Sequence, residues 1–288
     1  MSEIAATPQT RGLRHPGLRA GIVLSLLLLL IGFVSLVWTP YPIDAINVGA
    51  ALQEPGGAHW LGTDHLGRDL LSLLMKGTLT SFVVAAITVA FGAAIGIPLG
   101  LVAANRGGIA DQAVLRGTGF LFVFPALVAA ILLATVAGPS EVVVMAAAGL
   151  VNVPVFARVA RGSWLELKSV DYASAARLAG MSGWDIVVIH LLPGLVTVLL
   201  AQAVVQLGVG VLAEAALSYV GLGAQTPTAS LGLMLKDAQS YTLLKPALML
   251  LPGAMIVLIV ASIGLAADGI RGLLEPRLKS IGANRGAA

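Results

Sequence analysis

An all-α protein that crosses a membrane six times is the fold class specified by this chain, and three observations carry it. Charged residues make up 11% of the 288 positions, against about 25% in soluble domains. Hydrophobic letters reach 58% at a mean hydropathy of +0.95, and so much apolar surface cannot be hidden in one core, because a compact domain still needs a polar skin. Thirdly, six stretches free of internal charge approach the roughly 20 helical residues that cross about 30 Å of hydrocarbon.

The spans are expected at 20–38, 79–104, 117–140, 141–160, 191–213 and 246–267. The first follows Arg11, Arg14 and Arg19 like a secretory leader. Its uncharged stretch exceeds a leader's apolar region and no small-x-small site follows, so it reads as a retained anchor. In the second, Gly92, Gly96 and Gly100 recur every four residues, a stripe that lets membrane helices pack backbone to backbone; packing within the transmembrane assembly is expected ahead of a subunit seam, and Pro98 is a candidate kink. The uncharged heart of the fourth, 142–157, rises only about 24 Å, so Glu141 and Arg158 are expected to snorkel at its ends, and Pro154 is a second candidate kink. The fifth starts near Leu191, because Pro193 is best tolerated in an opening turn.

Six spans put both termini on one face. Thirteen cations share it (Arg11, Arg14, Arg19; Arg106, Arg116; Arg158, Arg161, Lys168, Arg177; Arg271, Arg277, Lys279, Arg285), against Arg68, Lys76, Lys236 and Lys245 opposite. The positive-inside rule therefore makes 1–19 a cytoplasmic segment, 20–267 the transmembrane domain and 268–288 a cytoplasmic tail. The loops at 39–78, 138–141 and 214–245 are then external, and those at 105–116 and 158–190 cytoplasmic.

Several function classes fall away. There is no cysteine, hence no disulfide, cysteine-ligated metal centre or thiol nucleophile. A net charge of +3 with 5% aromatics offers no surface for nucleic acid. No phosphate-cradling G-x-x-x-x-G-K-[ST] loop and no H-E-x-x-H zinc signature occurs, so neither an ATPase site nor an intramembrane protease is expected on this chain. No Asp, Glu, Lys or Arg is expected deep in a span, which removes the usual proton relay and requires an outside energy source.

In the long cytoplasmic loop, residues 171–180 (DYASAARLAG) form a short Ala-rich helix candidate stopped by Gly180. It is too short to be stable alone. Either it lies on its own bundle as a connector, or its small residues seat it in a partner's groove.

From Asp171 through Gly180 to Ile186, His190 and Pro193 the run resembles the EAA loop of ABC-importer permeases, with Ala175, Ala176, Gly180, Ile186, His190 and Pro193 at matching places and Ser174 where the acidic residue stands. GTDHLGRD at 62–69 is similar to the G-T-D-x-x-G-R-D signature of C-type permeases in the dipeptide, oligopeptide and nickel family. AEAALSYVGLG at 213–223, Ser230-Leu231-Gly232, Pro252-Gly253 and the segments 268–271 and 275–277 extend the likeness over nearly the whole chain. Departures are Leu73 and Leu79 where Arg is usual, Thr226 where a second Pro is common, and Leu231 and Ala247 where Trp is frequent; they touch the external surface and substrate preference.

The resemblance implies a type I ABC importer permease fold in a bacterial inner membrane, acting beside a homologous second permease, two cytoplasmic ATPases that hold ATP and Mg, and an extracytoplasmic solute-binding protein. It implies that Asp171, Tyr172, Ala175, Ala176, Arg177, Gly180 and His190 couple the chain to the ATPases, and that the chain binds no cofactor and performs no catalysis. The cargo implied is a di- or oligopeptide, with nickel or another small solute as the alternative; a self-sufficient channel is the competing class.

Two groups remain to be placed. His59, Asp64, His65 and Asp69 could be drawn as a nickel or zinc site, but a loop so rich in Gly, Asp and His reads rather as hydrogen-bonded structure. Gly62 and Gly67 permit tight turns, Thr63 belongs to the same signature, Asp64 is the expected cap of the next helix, and Arg68 is expected to pair near Asp69. Within the spans, Asn152, Gln202 and Gln206 either line a polar path or hydrogen-bond neighbouring helices.

Overall fold

The computed structural model describes residues 16–123, 125–168 and 185–283. Among them every regular element is helical: α1 (Pro16–Val34), α2 (Leu70–Arg106), α3 (Gly108–Val123), α4 (Ala126–Ala137), α5 (Glu141–Lys168), α6 (Leu192–Tyr219), α7 (Leu231–Ala238) and α8 (Ala247–Ala283). Five helices, α1, α2, α5, α6 and α8, are each long and apolar enough to cross a membrane; α3 and α4 together make a sixth candidate.

That candidate is the main departure from the expected spans. The stretch 117–140 is not one helix: α3 and α4 meet at 82° across residues 124–125. Pro125 stands at the head of α4 with φ −63° and ψ 133°, and a proline inside a continuous helix would lack the N–H and push its ring into the preceding turn. Other differences are extensions. α2 begins nine residues before the expected 79, and α6 continues past 213 to Tyr219. α2 runs through Pro98 and α5 through Pro154 as single helices.

Packing is centred on α2 against α5. A methyl group on Gly92 would overlap Asn152, one on Gly96 the carbonyl of Val153, and one on Gly100 the carbonyl of Ala157. The stripe's partner is thus α5 of the same chain, and close backbone approach is what the small residues provide. A first apolar cluster, including Leu73, Leu74, Val211, Leu231, Ile259 and Ile263, joins α2, α6, α7 and α8; a second, around Phe156, Trp164, Leu191 and Leu195, joins α5 to the start of α6. Ile22, Leu26, Leu30 and Phe33 on α1 stay exposed, as expected of a helix whose outer face meets lipid.

Candidate functional site

The signature at 62–69 folds into a buried polar knot that starts α2. Thr63 donates its hydroxyl to Ala50 O at 2.5 Å and accepts from Gln53 N. Asp64 Oδ1 accepts from the N–H of Leu66 and of Arg68, and its Oδ2 accepts from Arg68 Nε at 2.7 Å. Gly67 closes this turn at φ +75°, where a side chain would also run into the Asn47 carbonyl. Asp64 is therefore not the helix cap. Asp69 is: its Oδ2 accepts from Ser72 N and Ser72 Oγ at 2.8 Å each, and its Oδ1 lies 2.9 Å from His59 Nδ1. The expected Arg68–Asp69 pairing is replaced by Arg68 with Asp64 and, at 3.6 Å, with Asp237 of α7. The reason is geometric: the turn directs Asp64 back over its own backbone and leaves Asp69 at the first free N–H groups of α2.

Arg68 is 4% exposed, so the knot clamps the segment before α2 onto α7. His65 stacks on Tyr241 with ring centroids 5.3 Å apart. The Asp237 carboxyl is pushed above its ordinary value by burial, against the opposing pull of His65 and Arg68. These acids and imidazoles are spent on different partners, and among the described residues no three metal-ligating side chains converge.

Inside the bundle, Gln206 Nε2 donates to Asn152 Oδ1, and Gln202 Nε2 approaches Gln206 Oε1 at 3.4 Å. Asn152 and Gln206 are buried, so these amides form a hydrogen-bonded clasp between α5 and α6. Two turns beyond Gln206 on α6, Glu214 is 2% exposed. It accepts from Ser81 of α2 at 2.7 Å and from Ser218 at 2.9 Å. Glu214 stands one residue past the expected end of the fifth span and is a helical, buried carboxylate because α6 continues past it.

At the other end, three contacts gather where α5 leads into the long loop. Arg161 holds Asp111 of α3 with both nitrogens, at 2.5 and 2.6 Å. Trp164 Nε1 and Lys168 Nζ each donate to Asn105 Oδ1 at 3.0 Å. Asp171, Tyr172, Ala175, Ala176, Arg177 and Gly180 lie outside the described residues; His190 is placed by its backbone in the helical turn Ile186–Leu191 that opens α6. Of these features, Glu214 stood inside a quoted motif, whereas Ser81, Asn105 and Asp111 carry no local signal.

Residues 96–280 match the family described as "Binding-protein-dependent transport system inner membrane component". The chain is 36% identical to the glutathione transport system permease protein GsiD of Pectobacterium atrosepticum, over 93% of this chain and 89% of that one. It is 35% identical to the probable D,D-dipeptide transport system permease protein DdpC of Escherichia coli (strain K12), over 90% and 86%. Identity to the dipeptide transport system permease protein DppC of Alkalihalophilus pseudofirmus is 32%, again over 90% and 86%. Among solved structures, the fold is similar to the MetNI methionine ABC transporter in an inward-facing conformation, with TM-score 0.56 and 21% identity over 70% of this chain and 96% of that one. An amino acid ABC transporter crystallised with histidines gives 0.56 and 17% over 68% and 91%.

Proposed function

The chain belongs to the binding-protein-dependent transport system inner membrane components, the permeases of ABC importers in the dipeptide and oligopeptide family, and from that premise we propose that it forms half of the pathway for short peptides. One observation carries the cargo: relatives aligned over nine-tenths of this chain are named for glutathione, D,D-dipeptides and dipeptides. The chain is multi-pass in the membrane and works as one subunit of a complex.

In this reading the partners are a homologous second permease, two ATPases and an extracytoplasmic binding protein, and both termini face the cytoplasm by the distribution of cations. ATP and Mg stay on the ATPases; this chain binds no cofactor and makes or breaks no covalent bond. The segment around Asp171, Tyr172, Ala175, Ala176, Arg177 and Gly180, with His190 following, seats in the ATPase and passes its closure to α5 and α6. The spans then alternate between inward and outward access. Asn152, Gln202 and Gln206 act in this scheme by joining α5 to α6, so that the two respond together; the buried clasp supports that role over an open polar lining.

The test is purification of the tagged chain from its native membrane with whatever accompanies it, followed by reconstitution with the binding protein. ATP-dependent dipeptide uptake by a complex holding an ATPase and a second permease is the expected result. Flux that is indifferent to ATP would overturn the importer reading in favour of a facilitator.

A further inference from the structure

A cavity of about 540 Å³ lies at the outer end of α2, where Lys76 and Thr80 of its opening turns face Asp44, Glu141 at the head of α5, and Thr228 of the last external loop. This is within the range of roughly 300–1,000 Å³ that small ligands occupy. Its charges differ from those of the neighbouring knot in one respect. Arg68, Asp64 and Asp237 are joined to one another, whereas among the described residues Lys76, Asp44 and Glu141 are in no ion pair. Glu141 is not spent on capping α5 either, since Ser140 Oγ accepts from Val143 N.

A half-buried cation at the start of a membrane-crossing helix is costly unless it faces water or a counter-charge, and such residues mark the paths of polar cargo. The signs define the cargo. One cation set against two acids matches a molecule that carries an ammonium and a carboxylate at its two ends. Between them, Thr80 and the oxygen of Thr228 offer hydrogen bonds to a peptide unit. Leu79 and Val83 supply an apolar wall, and both also line a groove of about 470 Å³ between α1, α2, α6 and α8.

We propose that this cavity receives a short zwitterionic peptide on the external side, with Lys76 taking its C-terminal carboxylate and Glu141 and Asp44 its amino group. The assignment rests on the peptide-import reading above and adds to it a site on the permease itself.

The experiment uses the complete complex in its ATP-bound, hydrolysis-blocked state without binding protein, and measures retention of radiolabelled alanyl-alanine by equilibrium dialysis. Wild type is expected to retain it, and to retain its C-terminal amide less well. Lys76→Gln weakens alanyl-alanine about tenfold, as loss of a charge-assisted contact does, and leaves the amide unchanged; Glu141→Gln likewise weakens alanyl-alanine and leaves its N-acetylated form unchanged. No retention by wild type, equal retention by Lys76→Gln, or equal loss for peptide and amide would overturn the site. Loss of the second permease from the Lys76→Gln complex would also overturn it, since the cavity would then be a subunit seat. Uptake of alanyl-alanine by the same wild-type complex with binding protein and ATP separates the two claims: uptake without retention removes the site alone, and absence of uptake removes the peptide reading.

Discussion

The hydroxyl of Ser81 donates to Glu214 Oε2 at 2.7 Å across 133 positions of chain, fastening the first half of α2 to the C-terminal turns of α6. Ser218 adds to the cradle from the next turn of α6. Replacing Glu214 by leucine strands the buried hydroxyls of Ser81 and Ser218, at about 1–3 kcal/mol for each left unsatisfied. Glu214→Leu is therefore expected to lower the apparent Tm of the detergent-solubilised complex by several degrees, and Glu214→Gln, which keeps an acceptor, by less. Equal Tm values for wild type and the leucine variant would show that the cradle contributes nothing to the fold.

Two glycines separate close approach from mere smallness. A methyl group at Gly96 would meet the Val153 carbonyl, the Phe156 side chain and the Ala157 backbone, whereas one at Gly162 of α5 meets nothing within 4 Å. Gly96→Ala must push α2 from α5 and is expected to cost about 1–3 kcal/mol. Gly162→Ala removes a flexible residue from a helix interior and should be neutral or stabilising by up to about 1 kcal/mol. Thermal unfolding of the two variants side by side reads the difference, and an equal loss in both would count against α2–α5 contact as the cause.

How far the fold was legible follows from the range of each interaction. Runs such as 20–34 announce a span because hydropathy is local, and the Gly92, Gly96, Gly100 stripe announces a packed face for the same reason. The break at Pro125 was also local, yet the apolar run on both sides of it masks the turn when only charge is counted. Between two aspartates five residues apart, the cap is decided by where α2 begins, and α2 begins at Leu70 because its first turns are buried against α7 and α8, including Leu70, Leu73 and Leu74. Charge counting placed Glu214 at a loop margin, since what keeps it inside a helix is a serine 133 positions away. The cavity beside Lys76 is of this second kind: Lys76, Glu141 and Thr228 become neighbours only in three dimensions.

Asp237 makes the external clamp sensitive to acid in a definite direction. Burial raises its carboxyl above the ordinary value near 3.8, so the folded chain holds this proton more tightly than the unfolded chain does. Its contribution to stability is then fully present below the ordinary value and is lost as pH rises through the raised one. Asp237→Asn removes that dependence. The Tm difference between variant and wild type, followed from pH 7 downward, is expected to shift steadily in favour of wild type as the carboxylate range is entered. A constant difference would mean that the Arg68 pairing cancels burial, and a shift in favour of the variant that it outweighs burial.

On the proposed function, the contacts at the C-terminal end of α5 bear on transport rather than on folding. Arg161 with Asp111, and Trp164 and Lys168 with Asn105, join the last turns of α5 to α3 and to the end of α2. In the proposed coupling, α5 can pass motion from the ATPases to the bundle only if it does not bend first. Arg161 and Asp111 are partly exposed, so solvent screens their pairing and its loss changes a rate only modestly. Arg161→Ala is expected to leave ATP hydrolysis near the wild-type rate while reducing uptake by about two- to fivefold. The exchanged pair Asp111→Arg with Arg161→Asp restores part of the uptake, because the bidentate contact is available in either direction. If hydrolysis and uptake fall together and the exchange restores neither, the pair serves assembly and the stroke is carried elsewhere on α5.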